Sequence, residues 1–169
     1  MTPLVVGIDP GISRATDQAV IQFVVLGIAQ PKGSARAFMP KGARFPVVTS
    51  DNRNLKAWER SVRDRLQQVM PAVPRPTRVA IWAAPIAIEL HFELPRPQSL
   101  PKRVLHHLKK PDLDKLTRGA IDPLIGIVFR DDSQVVKVIA EKRYTDGPAR
   151  LDVLVAAYDG PLFAGASNG

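Results

Sequence analysis

The stretch PIAIELHFEL, Pro85–Leu94, decides how the fold is read. Ile86, Ile88, Leu90, Phe92 and Leu94 alternate with Ala87, Glu89, His91 and Glu93, a two-residue period that describes a half-buried strand with one apolar face. That face needs a partner layer. Upstream, Leu55, Trp58, Val62, Leu66 and Val69 recur at three- and four-residue steps, which predicts an amphipathic helix over 54–70 capped by Ser50 or Asp51. Downstream, Leu113, Leu116, Ala120, Leu124 and Ile127 make a second apolar stripe and predict a helix over 112–128. Pro123 interrupts it. Proline removes one backbone donor and crowds the carbonyl four residues earlier, so the helix kinks there or its second half begins anew.

Working further outward, VIQFVVLGIA at 20–29 predicts a strand buried on both faces and ended by the turn Gln30-Pro31-Lys32-Gly33. Gln134–Tyr144 and Arg150–Ala157 read as two strands joined in a hairpin through Thr145-Asp146-Gly147-Pro148. Residues 31–48 read as a flexible basic loop or a ragged hairpin, 71–76 as a proline-rich connection, and 95–110 as a mobile basic segment. The order is strand, helix, strand, helix, strand, strand, with no internal repeat. It predicts one α+β domain with helices packed on one side of a mixed sheet, over residues 20–159. Residues 1–19 would be an N-terminal extension and 160–169 a frayed tail.

With 169 residues, 45% hydrophobic and no cysteine, the chain can bury an ordinary core but cannot form disulfides or thiolate metal sites. Its apolar runs are too short to span a bilayer and no basic region precedes a signal-like stretch, so a soluble, intracellular protein is expected, with no membrane partner. The charge is unevenly placed. Residues 1–110 hold 17 Lys/Arg against 7 Asp/Glu, whereas residues 111–169 hold 7 against 9, so the first part is +10 and the second −2. A basic surface of this kind suits a polyanion, because each phosphate neutralised releases condensed counterions. On the first helix Arg53, Lys56, Arg60, Arg63 and Gln67 share a face, which either contacts a phosphate backbone or is plain solvated surface.

The acids of the second part fall into two pairs. Asp112 and Asp114 open the second helix, and Asp131-Asp132 follow, Asp132 lying 18 positions after Asp114. A helix of about 16 residues would be ~24 Å long, so the pairs meet only if the chain folds back or the helix is shorter. Exposed carboxylates suit a hard divalent ion such as magnesium, which takes one or two of them plus waters and substrate phosphate. Two such ions can activate a water and stabilise a leaving oxygen in phosphodiester cleavage. The competing reading is capping, since an acid at a helix N-terminus is favoured without any metal.

The run KKPDLDKLTRGAIDPLIGIVFRDDSQVV, Lys109–Val136, preceded by ELHFELPRPQSLPKR and followed by the predicted hairpin, resembles the RusA family of Holliday junction resolvases, often phage-encoded. The similarity runs from the QPKGSAR loop at Gln30 through the last strands, about 130 of the 169 residues. The resemblance implies a RusA-like homodimer in the bacterial cytoplasm, the host's if phage-encoded. With magnesium, for which manganese can substitute, it would nick two opposing strands of a four-way DNA junction symmetrically. It places the essential aspartates on Asp112, Asp114 and Asp132 as metal ligands, with Asp131 as an accessory acid. Where the family usually has a lysine one turn after the second aspartate, this chain has Arg118, which can stabilise developing phosphorane charge bidentately. Pro123 stands where an alanine is usual. Lys32, Arg36, Lys109 and Lys110, with Arg60 and Arg63 from the helix row, are the expected DNA contacts. His106 and His107 are expected to be exposed or structural rather than ligands.

Near the N-terminus, GIDPG at 7–11 resembles the opening strand of a different resolvase class, RuvC, in the ribonuclease H-like superfamily, where Asp9 would be a metal ligand. The preferred reading keeps this segment as an extension. A further alternative is a non-catalytic junction- or duplex-binding protein on the RusA scaffold, its chemistry lost through Arg118 and Pro123.

Overall fold

The strand read from Pro85–Leu94 lies inside a four-stranded sheet of the computed structural model, which describes residues 19–158 other than 34, 43, 46 and 51. In chain order the elements are β1 (Val20–Leu26), β2 (Ala35–Phe38), β3 (Val47–Ser50), α1 (Leu55–Val69), α2 (Arg75–Ala83), β4 (Ile86–Pro95), α3 (Leu113–Ile121), β5 (Val135–Thr145) and β6 (Arg150–Ala157). The large sheet has the order β1-β6-β4-β5, and β2 and β3 form a separate antiparallel pair. β4 runs parallel to β5 and antiparallel to β6, so the sheet is mixed. This is a single α+β domain, as the order of elements predicts. Among the described residues no helix is long and apolar enough to cross a membrane.

The apolar face of β4 is the floor of the core. Ile86, Ile88, Leu90, Phe92 and Leu94 are buried together with Trp58, Val62 and Leu66 of α1, Ile81 of α2 and Leu116 and Ala120 of α3. At about 25 cal/mol per Å² of apolar area, each such large side chain contributes roughly 1.5–3 kcal/mol of transfer free energy. The basic row Arg53, Lys56, Arg60, Arg63 and Gln67 is exposed on the opposite side of α1.

Several expectations need correction. β5 and β6 do not form a hairpin, because β4 lies between them. The turn chemistry at 145–148 reverses the chain but does not choose the neighbour. The link passes the end of β4, where Arg96 N–H donates to Thr145 O. β1 is an edge strand buried on one face only: Ile21, Phe23 and Val25 point into the core, while Val20 and Leu26 are exposed. An apolar run at a sheet edge thus reads like a central strand. The second helix is half its expected length, nine residues, and ends before Pro123. Pro123 takes an early position in a separate 3-10 turn, Asp122–Leu124, where its missing donor costs nothing. For the same reason the prolines at 74 and 76 start a helix, α2, where the sequence suggested only a connection.

The segment 95–110 is tied down rather than left as a mobile leader. Arg96 donates to Val104 O at 2.6 Å, pairs with Asp146 at 2.7 Å and lies over the Tyr144 ring. Tyr144 N–H donates to Leu105 O, and His107 is buried against the same ring. Burial pushes the His107 pKa down, with the Lys142 charge acting in the same direction. Of the alternatives for 31–48, the backbone adopts the hairpin, β2–β3. Asp9 and both predicted terminal segments, apart from Ala19, lie outside the described residues.

The polar face of β4 carries a linked set of charges. His91 bridges Glu89, buried at 3% exposure, and Glu141 of β5, the latter at 2.8 Å. Glu93 pairs with Arg143 of β5 and Arg150 of β6. Burial pulls the His91 pKa down, but hydrogen bonds and charge from Glu141 and Glu89 more than offset it, and the net shift is upward. A histidine whose folded pKa is raised adds stability that is fully present below its unfolded value near 6.5 and is lost as pH rises through the folded value. The thermal midpoint of the native chain is therefore expected to exceed that of His91→Gln by more at pH 6 than at pH 9. A gap that is constant across this range would contradict the assignment.

Candidate functional site

Pro111, half-buried, leads into Asp112, the N-cap residue of α3, with an extended backbone (φ −70°, ψ 141°). An aspartate there ordinarily caps the helix with its side chain. Asp112 does not: its carboxylate makes no capping hydrogen bond and lies 3.6 Å from the Lys115 ammonium, one turn on. Asp114 is exposed in the first turn, and no hydrogen bond or ion pair among the described residues engages it. Asp114 is therefore available to something outside the chain, and Asp112 is held only by a partly exposed lysine. Arg118 is exposed in the last turn of α3, four residues after Asp114 and so on the same side of the helix.

The second acidic pair is built differently. Asp131 is the N-cap of a 3-10 turn, Asp132–Gln134, and its carboxylate accepts the Ser133 N–H at 2.9 Å. The side chain and backbone of Ser133 hold the Asp131 carboxyl below the usual range, helped by Asp132 and by the Arg130 charge. Both acids are exposed, and of the two it is Asp131 that is committed to the cap.

Gln134 holds this turn in place, a role the sequence did not suggest. Its Oε1 accepts the N–H groups of Arg130 at 2.9 Å and Asp131 at 3.0 Å, and its Nε2 donates to Trp82 O at 3.0 Å and Ala84 O at 2.9 Å. Two donors and two acceptors saturate the amide. The acidic turn is thereby fastened to the C-terminal end of α2. Lys142 does the same for the other pair, reaching from β5 to donate to Lys109 O at 2.9 Å and Pro111 O at 2.7 Å. The half of the Gln134 contacts made to Arg130 and Asp131 is local, but the partners that tether each turn, Trp82 and Ala84 for Gln134 and Lys109 and Pro111 for Lys142, lie at least 31 residues away.

Asp112 opens into a groove lined by Ile28 to Gly33, Asn52, Lys110, Pro111 and Lys115. Lys32, Lys110 and Lys115 give it three ammonium groups, of which Lys115 was not singled out by the sequence. Lys32 is engaged by Asp122. Lys109, Lys110, Arg60 and Arg63 are exposed, whereas the side chain of Arg36 lies outside the described residues. Neither Asp114 nor Asp132 lines this groove.

Among the described residues no group of three or more His, Asp or Glu side chains is arranged to hold a metal ion. The three expected ligands therefore do not stand as a ready-made cage. The donor chemistry still fits a hard divalent cation, because magnesium binds through one or two carboxylates and keeps several waters. Asp112 and Asp114, two residues apart, exposed and unused by the helix cap, are donors of that kind.

Comparison with known proteins adds the family context. The family model described as Endodeoxyribonuclease RusA matches residues 29–156, most of the chain. The chain is also 29% identical over 85 residues to the uncharacterized protein YqaN of Bacillus subtilis (strain 168), an alignment covering 44% of this chain and 59% of that protein.

Proposed function

Since the chain belongs to the RusA endodeoxyribonuclease family, we propose that it is a magnesium-dependent Holliday junction resolvase that nicks opposing strands of a four-way DNA junction as a homodimer. The observation that carries this reading is the uncapped Asp112 at the mouth of α3, set in a groove whose other ionisable side chains are lysines. An acid not used for the fold, beside cations suited to phosphate, is the charge arrangement phosphodiester hydrolysis needs.

In this reading Asp112, Asp114 and Asp132 would hold the ion, magnesium or manganese, with Asp131 shaping the turn that presents Asp132. When bound, the ion supplies Lewis-acid polarisation of the phosphate and a water of lowered pKa. The remaining work falls to the chain. Lys110 and Lys115 take phosphate oxygens of the strand entering the groove, while Lys109, Arg60 and Arg63 follow the backbone on either side. Arg118 offers a planar, bidentate donor to charge developing on the phosphoryl oxygens, a geometry a lysine would not reproduce. A symmetric dimer presents two such sites to two strands, which accounts for paired nicks. The reaction needs no membrane, and the cytoplasm of a bacterial cell suits it.

The test is a side-by-side cleavage assay on a four-way junction, a fork and a linear duplex of the same sequence, with magnesium, with manganese and with chelator. Metal-dependent paired nicks on the junction are expected, with the linear duplex left intact. Junction binding without any cleavage would overturn the enzymatic reading and leave a DNA-binding protein on this scaffold.

A further inference from the structure

The loop Gln30–Gly33 is fastened to two helices at once. On one side, Lys32 N–H donates to Lys115 O of α3 at 2.8 Å, and the Lys32 ammonium pairs with Asp122, just past the end of α3. On the other side, Asn52 Nδ2 donates to Pro31 O at 2.9 Å and Gln30 Oε1 at 3.3 Å, while Asn52 Oδ1 accepts the N–H of Asn54, the N-cap of α1. Gly119 of α3 makes the approach possible. A Cβ at that position would stand 2.5 Å from Gln30 O and 3.4 Å from Lys32 N, so backbone meets backbone where a side chain would intervene.

This fastening has a direct consequence for the groove. Its one wall is the loop, and its other wall is Lys110, Pro111, Asp112 and Lys115. The loop touches α3 within one turn of the Asp112–Lys115 pair, so its placement sets the groove's width beside the uncapped carboxylate. The ammonium best placed by sequence to meet DNA, Lys32, is neutralised by an acid of its own chain. Both side chains of that pair are partly exposed, at 39% and 30%, and such pairs add little to global stability. What the pair can do is fix geometry.

We propose that Asp122, acting through Lys32, is a positioning residue that holds the Gln30–Gly33 loop against α3 and thereby fixes the groove in which a DNA strand meets Asp112. The assignment rests on the nuclease reading for its kinetic consequence and on the fold alone for the placement of the loop. Asp122 stands outside the groove lining, and its carboxylate is committed to Lys32 rather than to a metal.

Two measurements test it. Hydrogen exchange followed by mass spectrometry on peptides covering 28–33 reads loop placement without any reaction. Faster exchange at the Lys32 amide is expected in Asp122→Asn and in Lys32→Met, with protection restored when the charges are exchanged in Lys32→Asp/Asp122→Lys. Unchanged exchange in both single variants would overturn the proposal. Junction cleavage supplies the second readout. Each single variant is expected to lower kcat on the order of tenfold, because a misplacement of ~1 Å at a site can cost up to ~10²-fold. The double variant Lys32→Met/Asp122→Asn should fall no further, as expected of two residues acting as one unit.

Asp122→Asn also frees the Lys32 ammonium. Binding should then tighten and its logarithmic salt slope steepen by about 0.9, the value of one added phosphate contact on duplex DNA. If instead Lys32→Met flattens the slope of the native protein by that amount with kcat unchanged, Lys32 is a phosphate contact and the proposal fails. A native protein that cleaves no junction sinks the nuclease reading, while the exchange measurement still decides whether the loop is held as described.

Discussion

If the chain is the nuclease proposed above, Asp114→Asn and Asp132→Asn are each expected to reduce junction nicking by at least about 10²–10³-fold, the range seen when one charge-stabilising group is lost, with junction binding unchanged or tighter. Asp114 makes no hydrogen bond or ion pair among the described residues, and both side chains are exposed, so an isosteric amide leaves packing intact. Asp114 lies in the first turn of α3, where losing a negative charge forfeits a favourable dipole interaction of ~0.3–1 kcal/mol. That is too little to unfold the domain. Removing an anion near DNA phosphate also relieves repulsion, which is why affinity should hold or rise. Asp131→Asn is the control, since an asparagine still caps well and Asp131 is committed to Ser133 N–H. Its nicking should fall far less than that of Asp132→Asn. Cleavage by both Asp114→Asn and Asp132→Asn at the native rate would remove the assignment.

Gln134→Ala is expected to cost about 1–3 kcal/mol of stability and to slow nicking by roughly 10–10²-fold, although Gln134 touches neither metal nor DNA in this reading. Four hydrogen bonds end on this amide, and they join the start of the acidic turn to the carbonyls at the end of α2. Most of these groups can turn to water when the amide is gone, so the stability loss stays well below four full hydrogen bonds. The geometric loss does not recover in that way. Water can satisfy the carbonyls of Trp82 and Ala84 separately, but it cannot hold the Asp131–Asp132 turn against them. Gln134→Glu sharpens the test. A carboxylate can still accept from Arg130 and Asp131 N–H but repels the two carbonyls, so it should keep the capping box and lose the tether. Chemical unfolding measures the first quantity and single-turnover nicking the second. Native nicking in Gln134→Ala would show that the tether to α2 is dispensable.

Much of the secondary structure was legible in the chain. β4 was visible because Ile86, Ile88, Leu90, Phe92 and Leu94 all face one side, and β5 and β6 were placed within a residue of their observed ends. α1 was equally plain, from Leu55, Trp58, Val62 and Leu66. α2 escaped because Pro74 and Pro76 read as breakers, whereas proline is well suited to the first turn of a helix. The length of α3 escaped for a related reason, since a proline at 123 both ends one helix and opens the next turn.

In the site, the identity of the acidic pairs was legible and their division of labour was not. Asp112 and Asp131 look alike in sequence, each preceding a possible helical turn. Only the geometry shows that Asp131 accepts Ser133 N–H while Asp112 leaves its cap unmade. Lys32 and Lys110 likewise look like equivalent surface cations, yet Asp122 engages the first.

What the sequence determined by itself is local: the two-residue and 3.6-residue periods, the turns and the acidic pairs, all set by sterics and hydrogen bonds between near neighbours in the chain. The tertiary structure alone decided that β4 separates β5 from β6, that Gln134 ties the acidic turn to α2 and that Lys32 is answered by Asp122. Those outcomes join residues 50 and 90 positions apart, and they are fixed by which arrangement buries the apolar face of β4 best while keeping buried backbone groups hydrogen-bonded.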